Sequence, residues 1–142
     1  MRRAAALMLV VLVAGVANAA PVRWIEAYRK GVTAAQGRDW TTAVEQMEIA
    51  IGQRPTEALS VPAARNQTIE YVPHFWLGVA RFNLGDIEAA TREWDISQSQ
   101  GVIQRTQNYS VLQSYRAQAR SMLDKKTTER SADTRRNADM AL

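Results

Sequence analysis

The residues of this chain that could do chemistry are few and scattered. His74 is the only histidine, and an acid, base or metal-binding role would need partners that the sequence does not place near it. The closest carboxylate pairs, Glu45 with Glu48 and Glu93 with Asp95, stand among polar helical positions, which is typical of a solvated helix face. We therefore interpret His74 as a packing or helix-start histidine and predict no catalytic residues.

Other catalytic patterns are absent from the sequence. It contains no Gly-x-Ser-x-Gly elbow, no phosphate-binding loop and no His-Glu-x-x-His pattern. It has no cysteine, which excludes disulfides and the thiolate ligands of most structural zinc sites. We predict that the chain is not an enzyme and binds neither a cofactor nor a metal.

The first nineteen residues have the pattern of a bacterial signal peptide. Arg2 and Arg3 precede an apolar run over 4–16, and residues 17–19 (Ala-Asn-Ala) offer the small side chains that a signal peptidase requires. As a helix, the apolar run spans roughly 20 Å, short of a bilayer core of about 30 Å. We predict cleavage after Ala19, export to the periplasm or out of the cell, and no stable membrane insertion afterwards.

The charge balance excludes a basic nucleic-acid-binding face. The chain has 18 basic and 14 acidic residues, and loss of Arg2 and Arg3 with the signal peptide leaves 16 basic residues and a net charge of +2. The 124–142 segment contains five of the basic and four of the acidic residues, so the body is nearly neutral. Without a stripe of phosphate-neutralising side chains, we predict no nucleic acid as a partner.

Helical periodicity organises the rest of the chain. Apolar residues recur three and four apart in five segments, and Asp39 and Asp86 stand at N-cap positions before two of them. The predicted helices cover 24–36, 40 to about 54, 73 to about 84, 87 to about 98, and 107–123. Their short separations predict helical hairpins.

Two segments lack this periodicity. The 55–73 segment is bounded by Pro55 and Pro73, contains Pro62, and is predicted to be an inserted connecting loop. The 124–142 segment is polar, mixed in charge and free of aromatic residues, which predicts a disordered charged tail or a linker. The chain therefore divides into a signal peptide over 1–19, one helical domain over 20–123, and a tail.

An internal repeat relates two of the predicted hairpins. A shift of 47 residues aligns identical residues through both helices and the turn, which indicates a repeated hairpin. The identical pairs are Gly31 and Gly78, Val32 and Val79, Asp39 and Asp86, Ala43 and Ala90, Ile49 and Ile96, and Gln53 and Gln100. Repeat 1 covers about 24–55 and repeat 2 about 73–101.

These residues resemble the tetratricopeptide repeat, a helical hairpin of 34 residues. Leu77-Gly78, Gly85, Ile87, Ala90 and Trp94 match the family's spacing, and the upstream copy keeps Gly31, Trp40, Ala43, Met47, Ala50 and Pro55. The upstream copy departs from the pattern at Lys30, where leucine is usual, and at Gly37, which lies one residue early. The resemblance implies an all-α fold: a short solenoid of two hairpins closed by a capping helix over 107–123.

The resemblance also implies a binding surface. In this family the first helices of the hairpins line a concave groove, which suits an extended or helical peptide. The positions that it assigns to the groove are Tyr28, Val32, Gln36, Phe75, Val79, Phe82, Asn83, Tyr109, Gln113 and Arg116. The alternative for the aromatic members is packing between the hairpins, and Trp40 and Trp94 are expected in the core.

The combined prediction is an exported adaptor that binds a protein or peptide in this groove. Two other functions stay open at this point. The chain could be a docking or spacer module of a larger envelope protein, or a self-associating module that forms a homo-oligomer. It could also be an accessory or degenerate cell-wall enzyme domain, which ranks last because no catalytic pattern occurs.

Overall fold

The structure is a computed structural model that describes residues 23–64 and 66–141. Within these ranges the chain is mostly helical, which confirms the predicted all-α class at this level. The helices are α1 (Trp24–Gln36), α2 (Trp40–Gln53), α3 (Pro73–Asn83), α4 (Ile87–Gln100) and α5 (Asn108–Met140), the strands are β1 (Ala58–Pro62) and β2 (Thr68–Tyr71), and a 3-10 turn covers Ile103–Arg105. The predicted signal peptide over 1–19 lies outside the described residues.

Two helical hairpins, α1–α2 and α3–α4, form the body because a short turn reverses the chain after α1 and again after α3. Asp39 caps α2 by accepting a hydrogen bond from the Thr42 backbone N–H at 3.2 Å. Asp86 caps α4 by accepting one from the Ala89 backbone N–H at 3.1 Å. Each carboxylate satisfies a backbone donor that the first helical turn leaves free, so both predicted N-caps are present.

The two turns have the same backbone hydrogen bonds at an offset of 47 residues. Each capping aspartate donates its backbone N–H to a carbonyl oxygen five residues earlier, at 2.9 Å in both hairpins. The residue before each aspartate has a positive φ, 61° at Arg38 and 90° at Gly85. Arg38 therefore holds the left-handed position that glycine holds in the second hairpin, and the two registers agree although Gly37 lies one residue early in the sequence.

Glycine lets the two helices of each hairpin approach closely. A Cβ atom at Gly31 would lie 2.8 Å from Met47 Cε, and a Cβ atom at Gly78 would lie 2.5 Å from Trp94 Cδ1. Both pairs are again related by the 47-residue offset. The internal repeat in the sequence is thus a repeat of packing as well as of residue type.

Three connected clusters of apolar side chains form the core. The first-hairpin cluster lies between α1, α2 and the sheet and includes Tyr71. The second-hairpin cluster lies between α3, α4, the 3-10 turn and α5 and includes Phe75 and Trp94. A smaller junction cluster joins α1, α2 and α3 through alanines, with Trp40 at its edge. Trp76 contacts all three clusters and so links the two hairpins.

The insertion between the hairpins differs from the predicted loop because it contains a two-stranded antiparallel sheet. Ala58 pairs with Tyr71 and Pro62 with Thr68, and a bulge interrupts the register between Ala58 and Val61. Val61 and Tyr71 are buried in the first-hairpin cluster. The strands have only five and four residues, too few to show a clear alternation in the sequence, and a ribbon of this size needs such packing to be stable.

The last helix is longer than predicted. α5 continues through 124–140, where the sequence predicts a disordered tail or linker. Every side chain of this extension is exposed, and Lys126 reaches the body at Glu88, with 3.2 Å between Nζ and Oε1. No glycine or proline follows Gly101 in the sequence, so no residue interrupts the helical hydrogen bonds. Nowhere in the described residues is a helix both long enough and apolar enough to cross a bilayer.

Candidate functional site

Part of the predicted concave groove lies inside the protein. Tyr28, Phe75 and Val79 are buried, and their assignment to a partner-binding surface is corrected to the core. α5 covers the face of α3 that carries Phe75 and Val79, with Leu112 in the same cluster. Tyr28 packs edge-on against Tyr71 of the insertion, with 4.8 Å between ring centroids. The alternative of packing between elements therefore applies to Phe75.

The other predicted groove residues lie at or near the surface in separate places. Gln36, Asn83 and Gln113 are exposed, and Val32, Phe82, Tyr109 and Arg116 are half-buried. Val32 packs against the first-hairpin cluster, whereas Phe82 and Tyr109 pack against the second. The structure brings Gln113 and Arg116 together in one pocket, and it does not gather the remaining five beside them.

A small aromatic group closes the second hairpin beside α5. The ring of Phe82 meets the ring of Tyr115 edge-on at 5.1 Å, and both contact Trp94. The Asn83 side-chain amide donates to the Val79 carbonyl oxygen at 2.8 Å. Tyr115 and Phe82 thus anchor α5 to the hairpin.

A pocket of about 330 Å³ opens between α4 and α5. Its lining residues are Thr91, Gln113, Arg116, Ala117, Arg120, Leu123 and Asp124. Arg116 is held from the α4 side by Asp95, with 2.8 Å between Nη2 and Oδ1. The sequence did not single out Arg120 and Leu123, because their facing depends on how α5 crosses α4 and the polar pattern around them does not define a side.

A buried polar cluster lies where the insertion meets α3 and α4. The side chain of Glu57, a residue only 4% exposed, accepts hydrogen bonds from the His74 backbone N–H at 3.2 Å and from the Ser97 hydroxyl at 3.0 Å. The Glu57 backbone N–H donates to Gln100 Oε1 at 2.7 Å. His74 Nδ1 lies 2.7 Å from Glu93 Oε2. Glu57 thereby caps the first turn of α3, whose own N-cap residue provides no side-chain hydrogen bond.

Burial dominates the electrostatics of this cluster. It raises the pKa of Glu57 above the ordinary value of 4.5, and the Ser97 hydrogen bond and the nearby His74 only partly oppose this. Burial also raises the pKa of Tyr28 to about 12, although the Val72 backbone N–H donates to its hydroxyl oxygen. In both groups, burial therefore shifts the ionisation equilibrium towards the neutral form.

The cluster connects elements and does not have the geometry of a nucleophilic site. The Ser97 hydroxyl donates to a carboxylate and not to an imidazole nitrogen that could take its proton. His74 is buried in the first turn of α3, as its interpretation as a packing or helix-start residue expects. Glu93 departs from the predicted solvated face because it pairs with His74, whereas Asp95 is exposed.

The sequence does not identify Glu57 as a buried or functional residue, because a single glutamate in an aperiodic segment carries no signal of burial. Its importance depends on the docking of the insertion, which brings together residues 40 or more positions apart. Among the described residues, no three His, Cys, Asp or Glu side chains are grouped so that they could hold a metal ion.

No protein-family model matches the sequence, and no curated protein and no solved structure matches it significantly. Function is therefore inferred from the residues and geometry of this chain. The resemblance to the tetratricopeptide repeat stays a prediction from its sequence pattern.

Proposed function

We propose that this chain is an exported tetratricopeptide-like module that binds a peptide or protein partner. The observation that carries the proposal is the repeated geometry of the two hairpins. Turn hydrogen bonds, capping aspartates and glycine close approaches all recur at an offset of 47 residues. Stacked helical hairpins of this kind present extended surfaces that serve in protein binding.

The binding surface that we propose is smaller than the groove that the family resemblance implies. α5 covers the α3 face around Phe75 and Val79, which removes the centre of that groove. Gln113 is exposed and Arg116 is half-buried, and both line the α4–α5 pocket. We therefore place the partner at this pocket, where a side chain or chain end can enter between two helices.

A non-catalytic role is part of the proposal. The chain's only histidine is buried and bonded to Glu93, and the buried Glu57 carboxylate is occupied by backbone and hydroxyl donors. These groups are used to join the insertion to the hairpins. They therefore support a structural function for the cluster.

Site-specific photo-crosslinking tests the proposal. Benzoylphenylalanine is placed at Gln113, in the pocket, and in a second variant at Glu45, an exposed position on α2. In cells that encode the chain, we expect a discrete adduct from position 113 that excess unlabelled protein suppresses, and no such adduct from position 45. Identical adducts at both positions, or none at position 113, would contradict partner binding at the pocket.

A spacer function is the second candidate, and the exposed part of α5 favours it. A helix that is polar on all sides is typical of segments that cross solvent between other elements, stabilised by ion pairs along its length. Lys125 and Glu129 form such an i,i+4 pair at 4.0 Å, and Arg136 pairs with Asp133 at 3.3 Å. Light scattering separates the self-associating form of this candidate, since a strict monomer at high concentration contradicts a homo-oligomer.

A further inference from the structure

The lining of the α4–α5 pocket contains two basic side chains and one acidic side chain. Two arginines, Arg116 and Arg120, stand one helical turn apart on the same side of α5. One terminal nitrogen of Arg116, Nη2, forms an ion pair with Asp95. The other, Nη1, is buried without a hydrogen-bond partner. Nη1 is out of reach of a ligand as well as of water, so the part that Arg116 plays is to fix this wall of the pocket through Asp95.

Arg120 is the cation that stays available to a ligand. Its side chain is exposed, and no acidic side chain among the described residues lies within ion-pair distance of it. The neighbouring positive charges are neutralised, Arg116 by Asp95 and Lys126 by Glu88. The guanidinium of Arg120 can therefore donate two parallel hydrogen bonds to an incoming carboxylate.

The rest of the lining restricts what that anion can be. Asp124 also lines the pocket, and its charge repels a phosphate dianion more strongly than a singly charged carboxylate, so the lining favours the carboxylate of the two. Ala117 and Leu123 provide an apolar wall beside the arginines. A volume of about 330 Å³ is at the lower limit of ligand pockets, so one or two residues fit and a folded surface does not.

We propose that the α4–α5 pocket binds a carboxylate group of a partner peptide, with Arg120 as the binding residue and a small apolar side chain against Ala117 and Leu123. This inference rests on the proposed partner-binding function and specifies its chemistry. Arg116, held by Asp95, positions the wall of the site. The carboxylate comes from a peptide C-terminus or from an acidic side chain, two sources with the same chemistry.

Three synthetic peptides test the proposal on the protein lacking residues 1–19. They are Ser-Gly-Ser-Gly-Ala-Leu as the free acid, the same peptide as its C-terminal amide, and Ser-Gly-Ser-Glu-Ala-Leu amide. Binding is followed by the side-chain Nε–H signals of ¹⁵N-arginine, with Arg120 assigned from the signal lost in Arg120→Gln. We expect the Arg120 signal to shift with the free acid, with the glutamate peptide, or with both, and not with the neutral amide.

Two variants and one competitor complete the experiment. Arg120→Gln should weaken binding by about ten-fold or more, because it removes a charge-assisted pair. Arg135→Gln removes the same charge from the same helix about 22 Å away and should not alter binding. Inorganic phosphate at the peptide concentration should compete poorly, and strong competition would overturn the choice of a singly charged ligand.

The result separates this inference from the proposed function. Equal binding of acid and amide peptides, or unchanged binding by Arg120→Gln, would overturn the carboxylate site. If the carboxylate site is overturned in this way but position 113 still gives a discrete adduct, the chain binds a partner through a different ligand chemistry. Loss of that adduct together with retained peptide binding would leave the carboxylate site intact and contradict the protein partner.

Discussion

Glu57 is a buried carboxyl group whose ionisation the surrounding fold opposes. Its side chain is almost completely removed from water, and Glu70 adds a further negative charge nearby. Hydrogen bonds from the His74 backbone and from Ser97 offset part of that cost. Glu57 therefore fixes the position of the insertion, and its burial lowers the stability of the fold at neutral pH.

Replacement of Glu57 by glutamine predicts a definite pH dependence. Because the folded-state pKa of Glu57 is raised, its favourable contribution is present below the unfolded value near 4.5 and is lost as the pH rises through the folded value. Glu57→Gln cannot ionise, so its free energy of unfolding minus that of the wild type should increase from pH 4 to pH 8. Urea denaturation at several pH values measures this difference.

The exposed Glu45 provides the control for that series. Urea denaturation of Glu45→Gln over the same pH range measures the effect of removing one solvent-exposed carboxylate. A Glu57→Gln difference that changes no more with pH than the Glu45→Gln difference would contradict the effect assigned to burial of Glu57.

Arg38 is strained in a way that glycine would relieve. The left-handed region costs a residue with a side chain roughly 1–2 kcal/mol. Glycine avoids this cost, but the greater freedom of glycine in the unfolded chain lowers the free energy of unfolding by roughly 0.5–1 kcal/mol. Arg38→Gly should thus stabilise the protein by about 0.5–1 kcal/mol, measured by thermal or urea unfolding. Gly85→Ala, the reciprocal change in the second hairpin, should destabilise it, and a stabilised Gly85→Ala would contradict the role assigned to these turns.

Individual residues were predictable where local chemistry decides their role. Asp39 and Asp86 stand directly before apolar periodic segments, and an aspartate at that position has a known partner two or three residues later. Phe75 and Val79 were not predictable as surface or core residues, since their burial depends on the path of α5. The position of Glu57 likewise depends on contacts that are distant in the sequence.

Elements were predictable in proportion to their periodicity and length. The four helices of the hairpins follow the predicted bounds closely, because an amphipathic stripe and a cap define each one. β1 and β2 were not predicted, since short strands that pack against helices show little alternation. For 124–142 the sequence predicts a disordered tail or a linker, because polarity indicates an absence of packing. Polarity alone does not exclude a helix, and α5 continues to Met140.

The exposed part of α5 should be dispensable for the stability of the body. Lys126 pairs with Glu88 of the body, and both side chains are more than half exposed. Ion pairs between exposed side chains contribute about 0–1 kcal/mol. Removal of residues 124–142 should therefore change the free energy of unfolding by less than about 1 kcal/mol, while far-UV circular dichroism loses the signal of the helical extension. A large loss of stability would mean that this segment packs on the body.

At the scale of the whole molecule, two repeated hairpins behave as one unit only if their interface is strong enough. Three features join the two hairpins: Trp76, the junction cluster of alanines, and the insertion. Glu57 of the insertion accepts hydrogen bonds from α3 and α4. In a repeat array, stability is the sum of each unit and of the contacts between neighbours. Weakening the interface should therefore uncouple the hairpins before it unfolds either of them.

Trp76→Ala tests this coupling, with Trp24→Ala as the matched control. Both tryptophans are half-buried, but Trp24 packs against the first-hairpin cluster, whereas Trp76 contacts all three clusters. Each substitution should cost about 2–3 kcal/mol, less than the 3–5 kcal/mol typical of a fully buried tryptophan. In hydrogen exchange monitored residue by residue, Trp24→Ala should lower protection in both hairpins together, because they still unfold as one unit. Trp76→Ala should give α1–α2 and α3–α4 different opening free energies, and equal values in both hairpins would show that the insertion and the alanine junction suffice to couple them.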